Sequence, residues 1–186
     1  ILTVTNPANG CTATSTTDIT NDLGIPNASA GAAQVLNCNV TSVALGGSSS
    51  TSGVTFSWAG PGIVSGGSSA TPTVNQQGTY TLTVNDPSNG CSATSNVNVT
   101  QDITAPNANA GAAQVLNCST LNVVLNGSSS TAGVSYSWSG PGIVSGGSTA
   151  TPTVNQPGTY TITVEDGNGC IVSETSSSNP VDSTYS

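Results

Sequence analysis

Five cysteines and eight carboxylates hold most of the reactive chemistry in this chain. The cysteines are Cys11, Cys38, Cys91, Cys118 and Cys170. The acids are Asp18, Asp22, Asp86, Asp102, Glu165, Asp166, Glu174 and Asp182, and there is no Lys, Arg or His to work with them. A reactive thiol needs a nearby cation or a Cys-x-x-Cys partner to hold it as thiolate. Neither is present, so nucleophilic or redox-active cysteines are not expected. Metal binding through the cysteines is not expected either, because no His accompanies them. Structural disulfides are the remaining use, and they suit an oxidising, extracellular setting.

The carboxylates support little catalysis. General acid–base work usually uses His or paired carboxylates, and a nucleophilic Ser needs a base. Asp86 and Asp166 occupy equivalent turns, and only Glu165 and Asp166 are adjacent. The expectation is that the segment is not an enzyme and carries no cofactor. Asp22 and Asp102 are equivalent positions, with Asn27 near the first and Asn107 and Asn109 near the second. Calcium takes six to eight oxygens, several from carboxylates, so these two acids are thin candidates. A solvated turn or an Asx cap is the simpler reading. Asp182-Ser183-Thr184 fits a short O-glycosylation pattern, with bare polar turns as the alternative.

The elements that position these residues come in copies. Residues 31 to 38 read GAAQVLNC, and so do residues 111 to 118, 80 positions on. WAGPGIVSGGS from Trp58 returns as WSGPGIVSGGS from Trp138, and ATPTVNQQGTYTLTV from Ala70 returns as ATPTVNQPGTYTITV from Ala150. A fixed period of this kind marks a tandem array. ILTVTNPANGC at the start matches TLTVNDPSNGC from Thr81 and TITVEDGNGC from Thr161. Residues 1–22 are therefore read as the last hairpin of a preceding repeat, 23–102 as one complete repeat and 103–186 as a second. The chain is expected to be an excerpt of a longer secreted protein. Pro26 and Pro106 stiffen the junctions.

Within a repeat the patterning is all strand. Val43 and Leu45 alternate, as do Val123 and Leu125; Val54, Phe56 and Trp58 share one face, and so do Tyr80, Leu82 and Val84. Gly/Ser-rich runs between them are turns. Seven or so short strands per repeat fit a β-sandwich. Trp58 and Trp138 are expected in the core rather than as sugar-stacking platforms. Tyr80 and Tyr160 are expected as buried rings with bonded hydroxyls. Thr79, Thr81 and Thr83 alternate on the solvent face, the pattern that ice binding would also use.

NAxAGAAQVLNC, the VxLxGSSS strand, the YSW strand and GTYTxTV together resemble the PKD/immunoglobulin-like repeats of giant surface proteins from Bacteroidetes. The NGC ending is similar to repeats of gliding adhesins from that group. The resemblance implies all-β, tandem immunoglobulin-like/PKD-like sandwiches in a rod, export by type IX secretion, and a place in long adhesins or surface filaments. PKD domains often carry a WDFGDG-type turn, and WAGPG and WSGPG stand there instead, so nothing that depends on those acids transfers.

Two disulfide arrangements follow. Pairing within a repeat joins Cys38 to Cys91 and Cys118 to Cys170, and leaves Cys11 to a partner outside the segment. It is the favoured expectation, since each repeat then carries its own bridge. Pairing between repeats joins Cys38 to Cys170. Immunoglobulin topology puts the turns near Cys38 and Cys91 at opposite ends of a sandwich, whereas Cys38 and Cys170 would flank one junction. Cα separations of about 4.4–6.8 Å decide between them.

Charge and composition narrow the function. The 186 residues carry a net charge of −8, with 4% charged side chains. Binding a nucleic-acid backbone or an anionic lipid surface needs cations, and no apolar run approaches the ~20 residues of a membrane span. A repeat of about 80 residues has a thin core that a cross-link would support. The reading is a structural segment of an extracellular adhesin or filament, a stalk for attachment, gliding or prey capture. Its partners are neighbouring repeats and, in a filament, identical chains. A carbohydrate- or ice-binding module is the alternative.

Overall fold

A computed structural model describes residues 1–178. Fifteen strands and no helix make up the described residues. β1 (Leu2–Thr5) and β2 (Thr12–Ser15) form an antiparallel hairpin. The first repeat follows with β3 (Gln34–Asn37), β4 (Val43–Ala44), β5 (Thr55–Ala59), β6 (Ile63–Ser65), β7 (Thr73–Val74), β8 (Gly78–Asn85) and β9 (Ser92–Asp102). The second has β10 (Val123–Val124), β11 (Ser135–Ser139), β12 (Ile143–Ser145), β13 (Thr153–Val154), β14 (Gly158–Glu165) and β15 (Ile171–Ser178).

Alternation along the longest strand sets the core. In β8 the period-2 pleat sends Tyr80, Leu82 and Val84 inward, all fully buried, and leaves Thr79, Thr81 and Thr83 on the outer face. Trp58 on β5 sits opposite Leu82 in register and joins the same cluster. The second repeat repeats this with Tyr160, Ile162, Val164 and Trp138. Each cluster lies between two sheets. One sheet of the first repeat has the order β3-β9-β8-β5 and the other β4-β7-β6; the second repeat pairs β11-β14-β15 with β10-β13-β12. These are immunoglobulin-like β-sandwiches.

One pairing breaks the antiparallel pattern. β3 runs parallel to β9, with Gln34 opposite Val99 and Asn37 opposite Asp102. Its far end is thereby carried to the end of β9, where the chain crosses into the second repeat.

The hairpin β1–β2 shows what the second sheet contributes. Leu2 and Val4 match Leu82 and Val84 in sequence, yet they are 65% and 60% exposed. The turn and register form locally; burial does not, because the described residues put no opposing sheet against this hairpin.

Candidate functional site at the junction between the repeats

Asn37 shapes the first half of the junction. Its side-chain Oδ1 accepts from the backbone N–H groups of Asn39 at 3.0 Å and Val40 at 2.7 Å. Its own N–H donates to the Val40 carbonyl at 2.9 Å. This Asx-type turn follows β3 directly and presents Cys38 at the end of the sandwich.

The second half is the turn between β14 and β15. Asp166 Oδ1 accepts from the N–H groups of Asn168 and Cys170, both at 2.9 Å. Gly169 takes φ +74°, a left-handed conformation that glycine adopts without a Cβ penalty. A Cβ at Gly169 would overlap the Asn39 carboxamide, so the two turns are in direct backbone-to-side-chain contact.

The halves are joined by one covalent bond and two hydrogen bonds. Cys38 is disulfide-bonded to Cys170 across 132 residues of sequence, with Cα atoms 5.1 Å apart. The Asn39 N–H donates to the Asn168 carbonyl at 3.1 Å. Asn168 Nδ2 donates to Asp102 Oδ2 at 2.8 Å. Cys170 is 2% exposed, so the bond is shielded from solvent thiols on that side.

The favoured pairing of Cys38 with Cys91 and Cys118 with Cys170 is corrected by this geometry. Cys38 lies beside Asp102 at one end of β9, and Cys91 precedes Ser92 at the other. At ~3.3 Å per residue the strand holds those ends roughly 35 Å apart, far beyond disulfide reach. Cys11, Cys91 and Cys118 are free thiols in this chain; Cys11 and Cys118 are exposed and Cys91 is half-buried.

Trp58 and Trp138 are buried, and their Nε1 groups donate to the carbonyls of Ser69 at 3.1 Å and Thr149 at 3.0 Å. Tyr80 and Tyr160 are fully buried, and each hydroxyl donates to a backbone carbonyl, of Gln76 and Gln156 respectively. Burial pushes both phenols above their ordinary pKa, with the hydrogen bond to the backbone pulling the other way. Asp22 Oδ1 accepts from the Gly24 N–H at 3.0 Å, and Asp102 Oδ1 from the Thr104 N–H at 3.2 Å. Both acids are thus engaged as local caps. Among the described residues, no three His, Cys, Asp or Glu side chains converge as a metal site would require. Asp86 is held below the usual carboxylate range by the Ser88 hydroxyl and backbone N–H. Thr79 Oγ1 donates to Asn98 Oδ1 at 2.8 Å, and Thr81 and Thr83 are half-covered by neighbouring strands. Asp182-Ser183-Thr184 lies outside the described residues.

Asn39, Asn168 and Gly169 were not singled out by sequence reasoning. Their signal was present in the recurrence of two short motifs. Asn-Cys stands at 37–38 and 117–118, and Asn-Gly-Cys at 9–11, 89–91 and 168–170.

No family model matches the chain, and no curated protein matches it. Among solved structures, it is similar to extracellular domains 3–5 of Drosophila OTK, at 10% identity and TM-score 0.39, covering 84% of this chain and 62% of that one. It is similar to the N-terminal eight Ig domains of Down Syndrome Cell Adhesion Molecule, at 15% identity and TM-score 0.49, covering 86% and 28%. It is also similar to the PKD domain from KIAA 1837 protein, at 24% identity and TM-score 0.33, covering 50% and 98%. The chain thus spans less than two thirds of the length of the two multidomain structures.

Proposed function

We propose that this chain is a structural repeat segment of a long extracellular adhesin or filament, serving as stalk rather than as catalyst. The observation that carries the reading is the closed junction. Tandem domains ordinarily move relative to one another unless their interface is large. Here a disulfide, two hydrogen bonds and the Gly169–Asn39 contact tie one sandwich to the next. A stiff connection of this kind transmits load along an array, and repeating one module adds reach without new chemistry.

The bridge supports an oxidising, extracellular location. The sequence resemblance to Bacteroidetes surface repeats supports export by type IX secretion and display on the cell surface. The cation-free sequence supports a stalk as well, since it offers proteases of tryptic specificity nothing to cleave. Neighbouring repeats of one array are the expected partners, and identical chains lying alongside would make a filament.

Single-molecule stretching from the two termini tests the load path. With the bridge closed, the 132 residues of separation between Cys38 and Cys170 are withheld from extension. At ~3.3–3.6 Å per residue, reduction is expected to release roughly 450 Å of additional contour length. Equal contour lengths with and without reductant overturn the stapled-stalk reading.

A further inference from the structure

We infer that the Cys118 end of the second repeat is a docking site for the Asn-Gly-Cys turn of a second copy of this repeat, sealed by a disulfide to that turn's cysteine. The inference rests on the tandem-array reading and takes the Cys38–Cys170 junction as its occupied example.

The acceptor half is already built. Asn117 Oδ1 accepts from the N–H groups of Ser119 at 2.9 Å and Thr120 at 2.8 Å. Asn37 makes the same two bonds beside the bonded Cys38. Cys118 therefore sits in the same Asx-type turn as Cys38, although residues 114–117 form no strand like β3 among the described residues, and it is exposed and unpaired. A hollow of about 230 Å³ lies beside it, lined in part by Leu116, Leu121 and Pro157. Leu121 is 67% exposed.

The donor half is built twice. In the turn ending at Cys11, the Gly10 N–H donates to the Asn6 carbonyl at 2.8 Å; in the turn ending at Cys91, the Gly90 N–H donates to the Asp86 carbonyl at 2.8 Å. Gly10 and Gly90 have φ +72° and +75°, against +74° for the docked Gly169. A Cβ at Gly10 or Gly90 meets nothing within 4 Å, whereas at Gly169 it meets Asn39. The free turns share the left-handed glycine of the docked one but are one residue longer, since the Gly169 N–H donates three residues back to the Asp166 carbonyl at 3.1 Å. Neither free glycine meets an Asn39 counterpart, while Asn89 Nδ2 donates to the Gly24 carbonyl at 3.0 Å much as Asn168 Nδ2 donates to Asp102.

The apolar residues of the two halves vary together between the repeats. In the first repeat the sequence equivalents of Leu121 and Pro157 are the polar Thr41 and Gln77, and the turn bonded to that repeat's Cys38 reads Asp166-Gly167-Asn168 without proline. The two free turns read Asn6-Pro7-Ala8-Asn9 and Asp86-Pro87-Ser88-Asn89. A proline-bearing turn suits an acceptor that carries an apolar hollow.

The bond forms by exchange with a small-molecule disulfide. The Cys118 thiolate attacks oxidised glutathione and one glutathione leaves as thiol. The thiolate of the partner's turn then attacks the Cys118 sulfur and displaces the second. Two protein thiols lose two electrons and two protons, and one oxidised glutathione becomes two reduced ones.

The test mixes normal and ¹⁵N-labelled 186-residue chain in a glutathione redox buffer, followed by alkylation and non-reducing peptide mapping with a protease that does not need basic residues. Cys118 is expected joined to Cys11 or Cys91 of the other isotopic copy, in oligomers that collapse on reduction. The C118S variant is expected to lose those links while keeping Cys38–Cys170, which reports that the fold is intact. The double variant G10A/G90A keeps every thiol but places a methyl group where docking leaves no room, and is expected to lose the selective link. Cys118 recovered equally as a Cys118–Cys118 pair or glutathione adduct overturns the docking site. So does unchanged linkage in G10A/G90A. Either result leaves the stalk reading standing, because that reading is tested by stretching across the internal bridge.

Discussion

Ser176 is a polar residue in an apolar position. It occupies the place that Val97 fills in the first repeat, it is 5% exposed, and its hydroxyl finds no partner among the described residues. A buried unsatisfied hydroxyl costs about 1–3 kcal/mol. S176V is therefore expected to stabilise the protein by about 1–2 kcal/mol, read as a higher urea midpoint at unchanged slope. A midpoint that stays put or falls counts against this account of the core. Glu174 nearby is a different case. Its Oε2 accepts from the Ala110 N–H at 3.0 Å, the bond that Ser95 Oγ makes to Ala30 N–H in the first repeat.

The buried tyrosines give the protein an alkaline limit. Burial raises the phenol pKa of Tyr80 and Tyr160 above the ordinary 10.0. Below that value both states are neutral and stability is fully present. As pH rises past it, the unfolded chain ionises first and holds fewer protons, so stability falls with pH. Urea midpoints are expected to be flat from neutral pH to about 10 and to fall above it. Y80F/Y160F, which lacks the titrating groups, is expected to lose most of that fall; a variant that falls as steeply as the parent refutes the assignment. Trp58, Tyr80, Leu82 and Val84 were legible as inward-facing from alternation alone, because a strand's pleat has a period of two whatever it packs against. Ser176 was not legible as buried, since its burial depends on the sheet that covers it.

Among the elements, β3 decides most. It is four residues long, and its parallel pairing with β9 delivers Cys38 to the junction instead of to its own repeat's hairpin. The β14–β15 turn completes the arrangement through Gly169. G169A puts a Cβ into the Asn39 carboxamide at a left-handed φ. An L-residue there costs about 1–2 kcal/mol before the overlap is counted. In glutathione buffers the Cys38–Cys170 bond of G169A is expected to open under more oxidising conditions than the parent's. Gly167 in the same turn meets nothing within 4 Å, so G167A is expected to track the parent. Equal redox behaviour of G169A and the parent removes Gly169 from the junction. The strands β5 and β8 were legible because each buries residues that its own sequence marks as apolar. β3 was not, because QVLN carries no alternation long enough to show which strand it joins or in which direction.

For the whole molecule, the bridge matters more than the charge. The side chains carry no cation, so no salt bridge between them holds the repeats together. Repulsion among the acids is screened within about 8 Å at physiological salt. The two sandwiches, built on separate cores, are joined instead by a covalent link. Closing a loop of 132 residues lowers the entropy of the unfolded chain, by about 5 kcal/mol in the chain-entropy model. The reduced protein is accordingly expected to melt earlier than the oxidised one.

The repeat, the all-β patterning, the inward aromatic residues and the absence of side-chain cations are legible in the residues alone. All of these are local or compositional and survive any arrangement of the strands. Which cysteines meet emerges from the fold. Disulfide pairing depends on distances between chain segments far apart in sequence. The extended length of β9 separates Cys38 from Cys91, while the parallel seating of β3 brings Cys38 to the turn that holds Cys170.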